Sequence, residues 1–122
     1  MKIYLAGPMR GYKDFNFPAF FKATEELRQQ GHTVFNPAER DTSVWGAERL
    51  KSATGNEAEV AANLGLEGLT LARQCFLADT QFICVHADAI YLLPGWEKSR
   101  GATAERALGE AIGLKIVEVQ PT

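Results

Sequence analysis

Cysteine and histidine are scarce, two of each in 122 residues, and charge of neither sign prevails, since 13 Lys and Arg stand against 15 Asp and Glu for a formal charge of −2. The few His and Cys show no paired ligand spacing, which argues against a zinc site. No metal or other cofactor is expected. The near balance of charge supplies no global cationic field for a phosphate polymer, so nucleic acid is not an expected partner. Nowhere do eighteen apolar residues run together, and the apolar stretch within Met1-Lys2-Ile3-Tyr4-Leu5-Ala6-Gly7-Pro8 is too short for a signal segment. No membrane partner is expected either. Cys75 and Cys84 lie nine positions apart in one helical pattern. That is about 13 Å of rise at 1.5 Å per residue, beyond the reach of a disulfide. Reduced thiols fit the expectation of a soluble, cytoplasmic protein.

What is present, 46% hydrophobic and 23% charged residues, suffices for one domain with its own core and excludes a second of similar size. Lys2 to Ala6 reads as a buried first strand stopped by Gly7-Pro8. Asn16 as N-cap, Pro18 in the first turn, the spacing of Phe17, Phe20, Phe21, Ala23, Thr24 and Leu27, and Gly31 as a stop predict a helix. His32 to Phe35 is a second strand ended by Asn36-Pro37. From about 41 to 66 the pattern weakens, with one helical patch at Glu57 to Asn63, and a mobile loop or lid insertion is expected there. Leu66 to Ile83 repeats at three and four as a long helix, and Ala89 to Leu93 is the next strand. Ala104, Ala107, Leu108, Ala111 and Ile112 form a further amphipathic stripe before a last strand, Lys115 to Val119. The alternation predicts a single-domain α/β fold over 1–122, an open parallel sheet of four or five strands with helices on both faces, Rossmann-like in type.

Ligands of such sheets bind outside the carboxyl ends of the strands, where strand order reverses. The loops Gly7 to Asp14, Asn36 to Asp41 and Pro94 to Thr103 are expected to arrive there. The third runs into a helix through Ser99-Arg100-Gly101-Ala102-Thr103-Ala104-Glu105. Free amides and the positive end of a helix dipole suit a phosphate at that point, although Ser, Thr and Gly also serve ordinary capping. Tyr4 and Asp88 are expected at the same sheet edge. A Tyr beside two carboxylates suits acid/base and nucleophilic work of the kind glycosyl transfer needs.

Ile3-Tyr4-Leu5-Ala6-Gly7-Pro8, Ala87-Asp88-Ala89-Ile90 and Ser99-x-Gly101-x-x-x-Glu105-x-x-x-Gly109 resemble the nucleoside 2-deoxyribosyltransferase superfamily. Arg10-Gly11, Asn36-Pro37-Ala38-Glu39 and Leu93-Pro94-Gly95-Trp96-Glu97-x-Ser99-x-Gly101-Ala102 look most like its small DUF4406 branch. The resemblance implies that Glu105 is a nucleophile toward the anomeric carbon, that Tyr4 orients it and that Asp88 assists at the base or sugar. It further implies a substrate-binding set of Gly7, Pro8, Arg10, Gly11, Asn36, Glu39, Trp96, Ser99, Gly101 and Ala102. Position 99 is Asp in transferases acting on free nucleosides, whereas the superfamily's nucleoside 5′-monophosphate N-glycosidases have Ser there, as this chain does, and likewise an Arg-Gly pair after the first strand. A hydroxyl donates to a phosphate dianion that a carboxylate would repel.

The expected activity is therefore hydrolysis of the N-glycosidic bond of a nucleoside 5′-monophosphate through a covalent glycosyl ester on Glu105, ionised at neutral pH with help from the helix N-terminus. The alternatives are a deoxyribosyltransferase using a second base as acceptor, and a nucleotide-binding sensor without turnover. A weaker echo is a lysine-decarboxylase-like phosphoribohydrolase. Abundant aromatic residues and the superfamily's shared sites lead to an expected homodimer or higher homo-oligomer. The 41–66 insertion and the Trp96-Glu97-Lys98 tripeptide depart from the superfamily pattern, so the resemblance does not identify the base.

Overall fold

In the computed structural model, which describes residues 1–121, four short strands form one open sheet: β1 (Lys2–Ala6), β2 (Thr33–Phe35), β3 (Ala89–Leu92) and β4 (Lys115–Glu118). All three pairings are parallel and the spatial order is β2-β1-β3-β4, with Ile3 opposite Val34 on one side and Ala89 on the other. The central strands read as apolar runs because both of their faces are covered. Ile3, Tyr4, Leu5, Ala6, Ala89, Ile90 and Leu92 are each no more than 1% exposed. Strand order reverses between β1 and β3.

Side chains alternate across the pleat, so β1 points Ile3 and Leu5 to one layer and Tyr4 and Ala6 to the other. On the first face, Phe20, Ala23 and Leu27 of α1 (Phe17–Gln29) and Ala38 of α2 (Pro37–Trp45) cover Ile3, Leu5, Val34 and Ala89. On the second, Ile83 of α4 (Gly68–Val85) and Ala102 of α5 (Arg100–Ala111) cover Tyr4, Ala6, Ile90 and Leu92. A third cluster, Phe15, Leu50, Val60, Ala61 and Leu71, is built partly from α3 (Glu57–Asn63). No helix among the described residues is long and apolar enough to cross a membrane. Both cysteines lie on α4 and are free thiols.

Three sequence expectations change. Asn36 to Asp41 is a helix start and not a loop: Asn36 Oδ1 accepts from the amides of Ala38 and Glu39 at 2.9 and 3.3 Å, and Pro37 fills the first helical position. Residues 41–66 are not a loose loop but carry the end of α2, a 3-10 turn at Glu48–Leu50 and α3, with Leu50, Ser52, Val60 and Ala61 buried. Backbone bonds fasten this segment to the loop after β1, from Gly11 N–H to Gly55 O at 3.0 Å and from Asp14 N–H to Ser52 O at 2.8 Å. Gly55 has a φ of +66°, and any Cβ there would strike the backbone of Gly11 and Tyr12. On the facing loop Asp14, Phe15 and Asn16 are left-handed, and Asn16 gives its Nδ2 hydrogen to Pro8 O instead of capping α1 with its side chain.

The third change concerns α5. Its buried face is Ala102, Glu105 and Gly109, while Ala104, Ala107, Ala111 and Ile112 are exposed. Small residues at 102 and 109 let the helix lie close on the sheet, and a Cβ at Gly109 would collide with the side chain of Ile90. Gly109→Ala is therefore expected to lower the melting temperature, since overpacking costs about 1–3 kcal/mol against a helix-propensity gain of about 1 kcal/mol. Adding Ile90→Val, which removes the nearest methyl, should recover part of the loss. Strictly additive losses in thermal unfolding of the single and double variants would refute the contact.

Candidate active site

A cavity of about 450 Å³ opens at the carboxyl ends of β1 and β3, where strand order reverses. The β1 end and its loop contribute Tyr4, Gly7, Pro8 and Arg10; the start of α5 contributes Ser99, Gly101, Ala102 and Glu105. These eight sequence-derived positions therefore share one cavity. Asp79 and Cys75 come from α4, Asp41 from α2, and Leu50, Glu57 and Val60 from the segment laid across the top.

At the floor, Tyr4 Oη donates to Glu105 Oε2 at 2.6 Å with both side chains buried. Phe35 stacks on the Tyr4 ring at 5.6 Å between centroids and Phe82 lies tilted at 6.5 Å, which fixes the ring. Burial, and then the charge of Glu105, push the Tyr4 hydroxyl well above its ordinary range, so it keeps its proton and acts as a donor. Ser99 is the N-cap of α5, its Oγ accepting from Ala102 N–H at 3.1 Å. The amides of Arg100 and Gly101 have no carbonyl four residues back within the helix, and both residues line the cavity with Lys98. Arg10, 62% exposed at its side chain, donates through Nε to Glu57 at 2.8 Å.

Glu105 departs from the expectation of a carboxylate ionised at neutral pH. With Ser99 as cap it sits in the second turn of α5, too deep for the dipole to dominate. Burial, and then the charge of Asp79, raise its pKa to about 8, against the Tyr4 hydrogen bond that lowers it. Asp79 is raised to about 7, first by burial and next by Asp41, with Tyr4 pulling it back. Its Oδ1 is buried without a hydrogen-bond partner among the described residues. Two interacting carboxyls of this kind hold one proton between them near neutrality, so the cavity can offer both a carboxylate that attacks and an acid that gives a proton. Asp41 is raised to about 6 by burial against the pull of Arg40, and burial with the charges of Asp41 and Asp79 raises the Cys75 thiol to about 12, which leaves it protonated and unreactive.

Asp88 is the principal correction. It precedes β3 and accepts Lys2 N–H at 2.8 Å, which places it at the amino ends of β1 and β3, opposite the cavity. Asn36 and Glu39 stay outside the cavity lining as well, the first capping α2 and the second ion-paired to Arg28 at 2.7 Å. Trp96 turns toward β4 and α5, giving its Nε1 hydrogen to Glu118 at 2.9 Å beneath the Arg106 guanidinium. Gly11, also outside the lining, holds the covering segment through its amide. Asp41 and Asp79 escaped sequence reasoning: Asp79 breaks an apolar helix pattern three residues before Phe82, and that interruption was the available signal. Among the described residues no group of three His, Cys, Asp or Glu side chains is arranged to hold a metal ion.

A buried acid with a raised pKa binds its proton more tightly in the folded than in the unfolded chain, so its contribution to stability is lost as pH rises from about 4.5 to about 8. Glu105→Gln keeps the acceptor for Tyr4 and removes the titration. Its melting temperature relative to the parent is expected to climb by several degrees between pH 5 and pH 8. A constant difference across that range in calorimetric scans would show that Glu105 is not desolvated as described.

No curated protein and no solved structure matches the chain. The family model described as a domain of unknown function, DUF4406, matches residues 1–118, a span that holds the whole sheet and every residue lining the cavity, and the chain therefore belongs to the DUF4406 family.

Proposed function

We propose that the protein hydrolyses the N-glycosidic bond of a nucleoside 5′-monophosphate, in the first instance a deoxy one, through a glycosyl ester on Glu105. The observation that carries this reading is the buried Tyr4–Glu105 hydrogen bond on the floor of a cavity at the strand-order reversal. Tyr4 orients the carboxylate, whose oxygen attacks the anomeric carbon. The attack uses the state in which the proton shared by the pair rests on Asp79; the C–N bond breaks with its electron pair going to the base, and Asp79 supplies the proton that the base takes up. Water then attacks the same carbon, passes a proton to Asp79 and releases Glu105 as carboxylate. A carboxylate desolvated beforehand is well suited to a positive charge that develops only in the transition state.

The start of α5 supports a phosphate rather than a bare 5′-hydroxyl. Ser99 keeps its own hydroxyl proton to donate, the amides of Arg100 and Gly101 point out of the first turn, and Lys98, Arg100 and Arg10 bring positive charge to the same rim. Arg10 would exchange Glu57 for the phosphate. The resemblance to the deoxyribosyltransferase superfamily agrees with this chemistry, and a second base outcompeting water would make the same site a transferase. The sensor reading draws on a different observation, the pKa of about 8 that leaves Glu105 largely protonated at neutral pH. We further propose a homo-oligomer in the cytoplasm as the working state. In its support, α4 leaves Leu69, Leu77 and Val85 exposed by 63, 68 and 64%.

Incubation with a panel of nucleoside 5′-monophosphates is expected to release free base and sugar phosphate, and Glu105→Gln should abolish release while still binding nucleotide. Release at a near-parental rate by that variant would overturn the nucleophile, and binding without release by the parent would favour the sensor. By calorimetry, a nucleotide should bind at least about tenfold more tightly than its nucleoside, a margin of about 1.4 kcal/mol from charge-assisted contacts, and Arg10→Ala should shrink that margin. Equal affinity of the parent for the two would remove the phosphate site.

A further inference from the structure

Beyond Glu105, the part of the cavity wall formed by α2 and α4 presents two buried carboxyls, Asp41 and Asp79, and one thiol, Cys75. Asp79 and Asp41 are acceptors, and Cys75, one helical turn before Asp79 on α4, lies with its Sγ 3.9 and 4.0 Å from the two Asp41 oxygens. Asp79 is only 9% exposed, and its Oδ1 has no partner among the described residues, so one acceptor stands inside the cavity with its hydrogen bond unmade. Asp41 is held from behind: Arg40 Nη1 donates to its Oδ1 at 3.1 Å, and the Arg40 guanidinium lies 5.2 Å from the centre of the Trp45 ring. Among the described residues its Oδ2 receives only the weak thiol contact. The surrounding wall includes the apolar side chains of Phe15, Trp45, Leu71 and Phe76. Such a wall is complementary to a planar ring that carries N–H donors along its edge.

We propose that Asp41 selects the base, and that the site takes a nucleobase with an exocyclic amino group in preference to thymine or uracil. This inference rests on the nucleotide reading above. With the phosphate at the start of α5 and the sugar at Glu105, the base extends along α4 past Asp79 toward Cys75 and Asp41. Adenine, cytosine and guanine bring an amino group to that end, and a carboxylate accepts from it. Thymine and uracil bring two carbonyl oxygens flanking a single N–H. Those oxygens would face the Asp41 and Asp79 oxygens, acceptor against acceptor, and a buried polar group left unpaired is what a site discriminates against most strongly.

The test is calorimetric titration of full-length Glu105→Gln protein, in which turnover is blocked, with dAMP, dCMP, dGMP, dTMP and dUMP. The three amino-bearing nucleotides are expected to bind at least about tenfold more tightly than dTMP and dUMP. Adding Asp41→Asn, whose amide can donate to a carbonyl, should close the gap to within about threefold. Equal affinity for all five, or a gap that Asp41→Asn leaves intact, would overturn the assignment of Asp41 while leaving the nucleotide reading standing. Binding of none of the five would overturn both. Should the Asp41 variant fail to fold, the ranking of the five in the Glu105→Gln protein decides alone, and if that protein does not fold either, the parent's kcat/KM ratios for the same nucleotides decide.

Discussion

A hydroxyl on the central strand β1 and a carboxyl on α5 meet at 2.6 Å on the floor of the cavity, both almost fully buried. That bond ties together sheet, helix and cavity, and much of the neighbouring structure follows from making it possible. Glu105 reaches Tyr4 because α5 lies close on the sheet, and it lies close because its inner face carries Ala102 and Gly109 on either side of the glutamate. Phe35 and Phe82 clamp the tyrosine ring, so the hydroxyl does not wander. Leaving one partner of such a buried pair unsatisfied costs about 1–3 kcal/mol, comparable with a large share of the stability of a small domain.

The electrostatics follow from the same burial. Carboxyls of α2, α4 and α5 face one cavity, and Arg40 pairs with the first of them, Asp41. Desolvation therefore acts largely unopposed, with Asp41 raised to about 6, Asp79 to about 7 and Glu105 to about 8. Cations gather instead at the rim, on Arg10, Lys98 and Arg100.

Backbone bonds, a small apolar cluster and the Arg10–Glu57 pair hold the segment across the top. Amides of Gly11 and Asp14 reach carbonyls of Gly55 and Ser52, and the left-handed turn at Asp14 to Asn16 shapes the loop that receives them. Bonds of this kind leave little trace in residue type, which is why residues 41–66 resemble a loose loop in sequence although Leu50, Val60 and Ala61 are buried. The α5 stripe misled for a related reason: alanines at helical spacing mark a face, but a helix pressed against a sheet through Ala, Glu and Gly hides its inner side among residues that read as neutral or polar.

The sequence by itself determined the alternation of strands and helices, the parallel sheet and the carboxyl-end location of the loops, because periodicity and strand polarity settle those locally; that Tyr4 orients Glu105 was implied by the resemblance. Only the tertiary structure decided which second carboxyl stands beside them. A residue just before a parallel strand lies at the amino edge, so Asp88 is spent on Lys2 N–H at the far side of the sheet. Helix α4 runs back against the strands, and Asp79, six residues before its end and thus about 9 Å up the axis, is carried toward the carboxyl edge. Nine positions separate the two aspartates along the chain, and the reversal of direction between helix and strand puts them at opposite ends of the fold. That reversal, together with the desolvation that three packed layers impose on Glu105, is a property of the assembled fold and is written in no single stretch of residues.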